Sequence, residues 1–525
     1  MKMIVLGEEK GKIILVSKKG EGDSAIMHIG SYLTVEEPIK DNQVRKFILR
    51  VEESSQENSF NISPVLVDMD LKPLTQDQKV KNLVKATRIA ETPERVDGFS
   101  STIKPLLEAR VSNQEEINLA IGSSYGVKIF PATAFARNCQ ILKDENGTAI
   151  SANIPDDAFF YQMLITGPTG SGKTVSMKYL AQYFVENFKD NKGKPGAVLA
   201  INIKEEDFLY MDKPSKNYNK EVEKEWEDLK LTPKGLTSFH IYYPGKDIPN
   251  YSDKVDRSKC EGITLSTKNL DPNDISGLIS NLTQLGSEQL PNIFRYWQEK
   301  KMEDGDTMDE FINYFDDPAK NKQFPTLTSN GGEHQFPMHS STYKNIVSAL
   351  QGSSEYFDVE NAKEINAEDI LERRKMSVID VSNKNGIAFG AVLLRNILDK
   401  IYDAKSKGND VPVLLIIDEV HEFYSNNRSR EALGTLDAIA RKGRSLKIGV
   451  IFASQNPEDI PSGISKVVNS QINFKGVGNK LDIKSQYFDP EGLKSGYAIS
   501  KIYGLSQVKL IKFPLSCGGV YINER

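Results

Sequence analysis

Apolar residues in the middle and C-terminal parts of the chain form short, nearly uninterrupted runs instead of alternating with polar residues. The clearest runs are Met163–Thr166, Ala197–Ile203, Val378–Val381, Val413–Ile417 and Ile448–Ala453. A strand that is apolar on both sides is buried on both faces, as in a parallel sheet covered by helices. From about residue 160 onward the pattern therefore predicts an α/β fold, with a helix from about Lys173 to Phe188 after the first run.

The first 130 residues follow a different pattern. Short strand-like runs such as Lys12–Ser17 and Lys46–Val51 are separated by turn sequences such as Gly20–Asp23. Short strands at this spacing predict a small β-barrel. We expect a helical patch over about Gln76–Ile89 to interrupt it.

A long polar stretch, 208–370, separates the second and third apolar runs. It contains helical pieces such as Ile275–Leu285 and Ile293–Lys301, which predict an inserted helical subdomain. The predicted organisation is thus a barrel over 1–130, an α/β core over 131–207 and 371–525, and the insertion over 208–370.

Composition and charge limit the classes of protein that fit this pattern. The 525 residues are 39% hydrophobic and 26% charged, which excludes wholesale disorder. The net charge of -5 excludes a surface coated with nucleic-acid-binding charge, although a ring can carry a basic lining inside an acidic exterior. Three widely separated cysteines and the lack of a long apolar run predict a cytoplasmic protein without a membrane anchor.

A glycine-rich loop follows the first apolar run and precedes the predicted helix. It consists of Gly167, Pro168, Thr169, Gly170, Ser171, Gly172, Lys173 and Thr174. This sequence fits the phosphate-binding loop G-x-x-x-x-G-K-[ST] in the strand–loop–helix context that the motif requires. Backbone amides and the helix N-terminus favour phosphate, Lys173 is expected to hold the β- and γ-phosphates of ATP, and Thr174 is expected to ligate Mg²⁺.

An acidic pair ends the run Val413–Ile417. Asp418 and Glu419 follow a buried strand, and the carboxyl ends of parallel strands face the ligand crevice of such folds. We expect Asp418 to lie in the Mg²⁺ coordination sphere and Glu419 to act as general base on the attacking water. The alternative is an ordinary acidic helix start, because Asp is a good N-cap. For His421 we favour an ordinary polar residue after a buried strand.

Three further polar residues lie around the last apolar run. Gln455 is at its end and is a candidate sensor of the γ-phosphate. Arg441 and Arg444 precede it, on or just after a helix, and are candidates for an arginine finger that neutralises transition-state charge. The alternative for either arginine is a solvated basic helix end.

The order of these motifs resembles the HerA branch of the HerA/FtsK ATPases. The resemblance is carried by the glycine-rich loop, by a strand ending near Lys204–Asp207, and by Asp418–Phe423, Gly443-Arg444 and Ser454-Gln455. It implies a RecA-like P-loop ATPase core with a mainly parallel sheet, an N-terminal barrel, and a homo-hexamer that translocates double-stranded DNA. It also implies that Arg444 reaches the neighbouring subunit's site, and that the partner is a NurA-type nuclease or an antiviral effector.

Two positions depart from the family pattern. Family members often carry an arginine shortly before the phosphate-loop strand, where this chain reads Phe-Phe-Tyr-Gln over 159–162; Arg137 is the substitute that the sequence offers. The second strand often ends with an aspartate where this chain has Asn202, although Glu206 and Asp207 follow it. Two other functions stay open at this point: a protein-translocating secretion-type ATPase, and a nucleotide-gated ring that scaffolds an effector enzyme.

Overall fold

The computed structural model describes residues 3–17, 27–39, 43–58, 80–93, 101–121, 125–135, 138–279, 284–302, 305–382, 386–423, 439, 441–460, 465–475, 490–505 and 507–522. Within these residues no helix is both long enough and apolar enough to cross a bilayer. Arg137, the turn Gly20–Asp23 and residues 76–79 lie outside the described residues.

The N-terminal part forms a closed six-stranded barrel, as predicted. Its strands are β1 (Met3–Glu9), β2 (Lys12–Ser17), β3 (Tyr32–Pro38), β4 (Val44–Asn58), β5 (Val80–Thr92) and β6 (Glu108–Val111). They join in the order β1-β2-β5-β4-β3-β6, and every pair is antiparallel. Alternate side chains such as Leu33, Val35, Phe47 and Leu49 fill the interior.

The prediction of a helix over Gln76–Ile89 is wrong for the part of that range that the structure describes. Residues 80–89 belong to β5, which pairs with β4 along its whole length and with β2. These pairings satisfy the backbone and bury Val84 and Ala86 in the barrel, so tertiary context overrides the local helical pattern.

Helix α1 (Gln114–Ile121) follows the barrel, and the chain then enters a 14-stranded sheet. Its strands are β7 (Val127–Phe135), β8 (Asn138–Ile141), β9 (Ala152–Ile154), β10 (Met163–Thr166), β11 (Ala197–Asn202), β12 (Phe239–Pro244), β13 (Cys260–Thr264), β16 (Lys363–Glu364), β17 (Met376–Asp380), β18 (Val413–Ile417), β19 (Ile448–Ser454), β20 (Ser470–Phe474), β21 (Tyr497–Lys501) and β22 (Leu510–Lys512). The order is β16-β13-β12-β17-β11-β18-β19-β10-β20-β21-β22-β7-β8, with β9 beside β7.

From β16 to β20 every neighbouring pair is parallel, and the remaining pairs are antiparallel. The parallel half is covered on both faces, as the continuous apolar runs predict. In β18, Val413, Leu415 and Ile417 pack into one core, while Leu414 and Ile416 pack into the core on the other face.

The helices of the core and of the segment 208–370 are α2 (Lys173–Glu186), α3 (Lys220–Leu229), α4 (Gln284–Lys300), α5 (Met308–Phe315), α6 (Ser340–Ser353), α7 (Ala367–Ile370) and α8 (Gly386–Ser406). The segment 208–370 differs from a purely helical insertion. It also supplies β12, β13 and β16 to one edge of the main sheet, and a separate hairpin of β14 (Gln323–Leu327) and β15 (Glu333–Pro337). These edge strands form because β12 pairs in parallel with β17, a contact between distant segments of the chain.

Candidate active site

The residues that the sequence singled out lie at the carboxyl ends of neighbouring strands. Strands β11, β18, β19 and β10 are adjacent in the sheet and all run in parallel. Their ends lead into Lys204, Asp418, Gln455 and Gly167 respectively. A cleft of about 210 Å³ opens there, lined by Pro168, Thr169, Gly170, Gly172, Lys173, Thr174, Val175, Lys204, Asp207, Asp418, Glu419 and Ser495.

The glycine-rich loop has a backbone that only glycine adopts readily at its two tightest points. Gly172 has φ +112° and is the N-cap of α2, and a Cβ there would lie 2.9 Å from the backbone N of Gly496. Gly167 has φ +148°, and a Cβ there would lie 2.7 Å from Cβ of Phe474. The loop thus wraps around the start of α2. Its exposed residues, 168–170, face the cleft, as a phosphate cradle requires.

Lys173 lies in the cleft but is only 6% exposed. Its Nζ donates hydrogen bonds to the carbonyl oxygens of Gly167, at 2.5 Å, and Pro168, at 3.4 Å. Burial lowers the pKa of Lys173, and the charges of Glu419 and Asp418 oppose that shift. The ammonium is therefore held by the loop backbone at the place where phosphate oxygens would give it stronger, charge-assisted partners.

Asp418 is 6% exposed and accepts a hydrogen bond from the backbone N of Glu419 at 2.8 Å. Burial first, and the adjacent Glu419 charge second, raise the pKa of Asp418 to about 6. A buried carboxylate whose charge is costly gains from a cation. Thr174 lines the same cleft, and a hydroxyl plus a carboxylate is the small protein ligand set with which Mg²⁺ is bound beside phosphates and water.

Glu419 is 4% exposed and has φ +43°, which is uncommon for a residue with a side chain. Its Oε1 lies 2.7 Å from Nζ of Lys204 and accepts a hydrogen bond from Nε2 of Gln455 at 3.3 Å. Its Oε2 is buried and has no hydrogen bond within the described structure, although Nδ1 of His421 lies 3.3 Å away. One carboxylate oxygen is thus held by Lys204 and Gln455, and the other is buried beside His421.

Several side chains of the site were not given a role by the sequence. Lys204 and Asp207 follow a buried parallel strand, which is a usable signal for a site residue, and burial raises the pKa of Asp207. His421, interpreted as an ordinary polar residue, lies beside Glu419. Ser495 lies in a distant part of the sequence, and its Oγ donates to the carbonyl of Gly170 at 3.0 Å; no local pattern indicates this contact.

The two candidate arginines lie away from this cleft. Both are exposed and lie in a helical segment, 441–446, that precedes β19. The guanidinium of Arg444 is 4.7 Å from the centre of the Tyr161 ring, just before β10. Tyr161 and Arg444 lie at the amino ends of β10 and β19, whereas the cleft lies at the carboxyl ends of these strands. The seven residues of β19, at about 3.3 Å each, separate Arg444 from the cleft by roughly 20 Å. Arg444 therefore does not reach the cleft of its own subunit.

In chemical terms, the cleft gathers a glycine cradle with a buried ammonium, a hydroxyl and a carboxylate that suit Mg²⁺, and a second carboxylate held by Lys204 and Gln455. These donors fit a nucleoside triphosphate with Mg²⁺ and a water activated for attack on its last phosphate.

Comparison with known proteins returns relatives described as "DNA double-strand break repair helicase HerA". The protein from Sulfurisphaera tokodaii is 23% identical over 343 residues, which cover 63% of this chain and 58% of the relative. The protein from Saccharolobus solfataricus is 29% identical over 124 residues, 22% of this chain and 25% of the relative. The chain thus spans between a quarter and somewhat over half of the length of these relatives. No family model matches it.

Two solved structures illustrate the similar folds. VirB4 of Thermoanaerobacter pseudethanolicus has a TM-score of 0.43 at 13% identity, over 75% of this chain and 97% of that chain. The plasmid coupling protein TrwB in complex with a non-hydrolysable GTP analogue also has a TM-score of 0.43 at 13% identity, over 77% of this chain and 98% of that chain. Likenesses at this level carry no argument about function.

The parallel sheet, the N-terminal barrel and the glycine-rich loop define the class of P-loop nucleotide-binding proteins with a mainly parallel α/β core. Within that class the chain is similar to HerA, and the relatives confirm the resemblance to the HerA/FtsK ATPases that its motifs indicate.

Proposed function

We propose that this protein is an ATP-hydrolysing ring motor that moves along double-stranded DNA. In this proposal the loop 167–174 binds the phosphates of ATP, with Lys173 on the β- and γ-phosphates. Thr174 and Asp418 hold Mg²⁺, which supplies charge neutralisation on the phosphates. Glu419 orients and deprotonates the attacking water, and Gln455 senses the γ-phosphate.

The roles of Lys173, Glu419 and Gln455 are supported by contacts of these side chains. Lys173 already points to the loop carbonyls that flank the cradle. Lys204 and Gln455 hold Oε1 of Glu419 and so fix in place the carboxylate that takes the proton from water. A base held in this way needs no reorganisation at the moment of reaction.

The observation that carries the ring is the position of Arg444. If Arg444 is the arginine finger, it serves a cleft other than its own, because roughly 20 Å of sheet separate it from the cleft of its own subunit. A contact in which one face of a subunit completes the site on a different face of the next subunit is heterologous, and heterologous contacts give a ring when the rotation between subunits closes. The resemblance makes six the expected number of subunits.

The choice of DNA as substrate rests on the relatives, which are described as helicases of DNA double-strand break repair. A motor of this kind grips phosphates with lysines or arginines in its channel. Lys466 and Lys475 are exposed at the two ends of the segment that contains β20 and are candidates for such contacts. A NurA-type nuclease or an antiviral effector as partner is supported by the resemblance alone.

The test is the ATPase rate of the purified protein with and without linear double-stranded DNA, across a range of salt concentrations. We expect DNA to stimulate hydrolysis, and the stimulation to fall steeply with salt because phosphate contacts release counterions. Displacement of a third strand from a triplex would report movement. If DNA does not stimulate hydrolysis and the protein does not move along DNA, the motor function is contradicted and the nucleotide-gated scaffold is favoured.

A further inference from the structure

The turn before the phosphate-loop strand ends in an aromatic stack. Tyr161 and Tyr503 lie with ring centres 3.5 Å apart and ring planes inclined by 15°. The guanidinium of Arg444 is 4.7 Å from the centre of the Tyr161 ring. Tyr503 is 39% exposed and Arg444 is exposed, so the group lies at the protein surface. Arg444 thus rests on an aromatic surface at the amino ends of the strands.

The backbone below this stack is tightly fixed. The side chain of Gln162 is buried, and its Oε1 accepts a hydrogen bond from the backbone N of Val450 at 2.8 Å. A Cβ on Gly443 would lie 2.4 Å from the carbonyl oxygen of Ile448 and 2.9 Å from Nε2 of Gln162. Gly443 therefore packs directly on Gln162. Because Arg444 follows Gly443 and Tyr161 precedes Gln162, this contact sets the distance between the guanidinium and the Tyr161 ring.

Tyr503 is anchored separately from Tyr161. Its backbone N donates a hydrogen bond to Oγ of Ser470 at 3.1 Å, at the start of β20. A side-chain hydrogen bond with Tyr503 also raises the pKa of the Tyr161 phenol. The two rings thus come from separate segments that the sheet holds together.

We infer that Tyr161 and Tyr503 are positioning residues that hold the Arg444 guanidinium toward the nucleotide cleft of a neighbouring copy of this chain. This inference rests on the proposed function of Arg444. A planar guanidinium stacks well on aromatic faces, and a side chain that is already ordered loses less conformational freedom when it meets a phosphate. Among the described residues no carboxylate forms an ion pair with Arg444, so its charge remains for an incoming anion.

The neighbouring aromatic residue of the same turn provides a matched control. Phe160 packs on Phe184 and Phe188, with ring centres 6.3 and 5.7 Å away. Removal of the Phe160 ring costs core packing, whereas removal of the Tyr161 ring costs the support of Arg444.

The experiment measures kcat and KM for ATP in Tyr161→Leu, Tyr161→Phe, Tyr503→Leu and Phe160→Leu, each alone and combined with Arg444→Ala. We expect Tyr161→Leu to lower kcat about tenfold with KM nearly unchanged, because the arginine acts on the transition state of a nucleotide that is bound elsewhere. Tyr161→Phe keeps the ring and is expected to keep the rate. Tyr503→Leu is expected to show a smaller fall, and Phe160→Leu a lower melting temperature with normal kcat.

The double variants decide whether the tyrosine acts through the arginine. With Arg444→Ala present, Tyr161→Leu is expected to change kcat by less than about twofold, since there is no guanidinium left to orient. If Tyr161→Leu lowers kcat about tenfold both in the wild-type protein and in Arg444→Ala, the inference is overturned. Full activity of Tyr161→Leu would also overturn it. If Arg444→Ala itself hydrolyses ATP normally, the finger assignment in the proposed function fails, and the positioning role fails with it.

Discussion

Asp418→Asn is expected to stabilise the nucleotide-free protein while it disables the site. The wild-type carboxyl is buried next to Glu419, and its pKa rises from 3.8 to about 6. One pKa unit corresponds to 1.36 kcal/mol, so the ionised Asp418 costs the folded state about 3 kcal/mol at pH 8. Asparagine has nearly the same shape, still accepts the hydrogen bond from the Glu419 backbone N, and carries no charge.

The sign of the pH dependence follows from the raised pKa. Because the folded state binds the proton more tightly than the unfolded state, the cost is present above about pH 6 and disappears as the pH falls toward 3.8. Thermal unfolding of Asp418→Asn and wild type, both free of nucleotide, is measured from pH 8 to pH 5. We expect the variant to melt a few degrees higher at pH 8, with the difference shrinking toward pH 5.

Two controls make this result specific to Asp418. Glu458→Gln removes an exposed carboxylate on the loop after β19, and we expect no comparable gain in melting temperature. Addition of ATP with Mg²⁺ is expected to raise the melting temperature of wild type but not that of Asp418→Asn, because the variant lacks the carboxylate ligand. A variant that melts lower than wild type at pH 8, or a difference independent of pH, would refute the reasoning.

Two further predictions concern the phosphate loop and the catalytic base. Lys173→Ala removes the buried ammonium of the cradle, so ATP hydrolysis is expected to be abolished and nucleotide binding weakened; unchanged turnover at saturating ATP would contradict the assignment. Glu419→Gln keeps the shape of the side chain but cannot take a proton. We expect it to bind ATP while turnover falls by roughly a hundredfold or more, and normal turnover would move the base to another residue, with Glu422 the next candidate.

The parts of the site that the sequence predicts are those encoded within one short segment. The glycine-rich loop and the Asp418-Glu419 pair each combine a buried strand with the residues that directly follow it, so strand and site are recognised together. Because the strands are parallel, their ends could be expected to meet, and this accounts for finding Gln455 near Glu419.

The features that the sequence did not predict depend on contacts between distant segments. The helix expected near Ile89 is a strand because β4 lies beside it, and the local pattern does not encode that neighbour. The contact of Ser495 with the phosphate loop joins the two halves of the core. The stack of Tyr161 on Tyr503 is of the same kind, since neither residue carries a signal for the other.

We propose that each active site is completed by Arg444 of a neighbouring subunit. The test is to mix Arg444→Ala subunits with Glu419→Gln subunits and to measure ATP hydrolysis under single-turnover conditions. Either variant alone is expected to form rings that bind ATP and hydrolyse it roughly a hundredfold or more slowly than wild type, whereas Arg441→Ala, on the same exposed helical segment, is expected to be active.

In mixed rings, some clefts have an intact Glu419 and face an intact Arg444 from the next subunit. Hydrolysis is therefore expected to reappear on mixing, in proportion to the fraction of such clefts. The single-turnover format detects these clefts even if continuous turnover requires every subunit to be competent. Mixed rings that assemble and bind ATP but hydrolyse none of it, or a monomer with full activity, would contradict the claim.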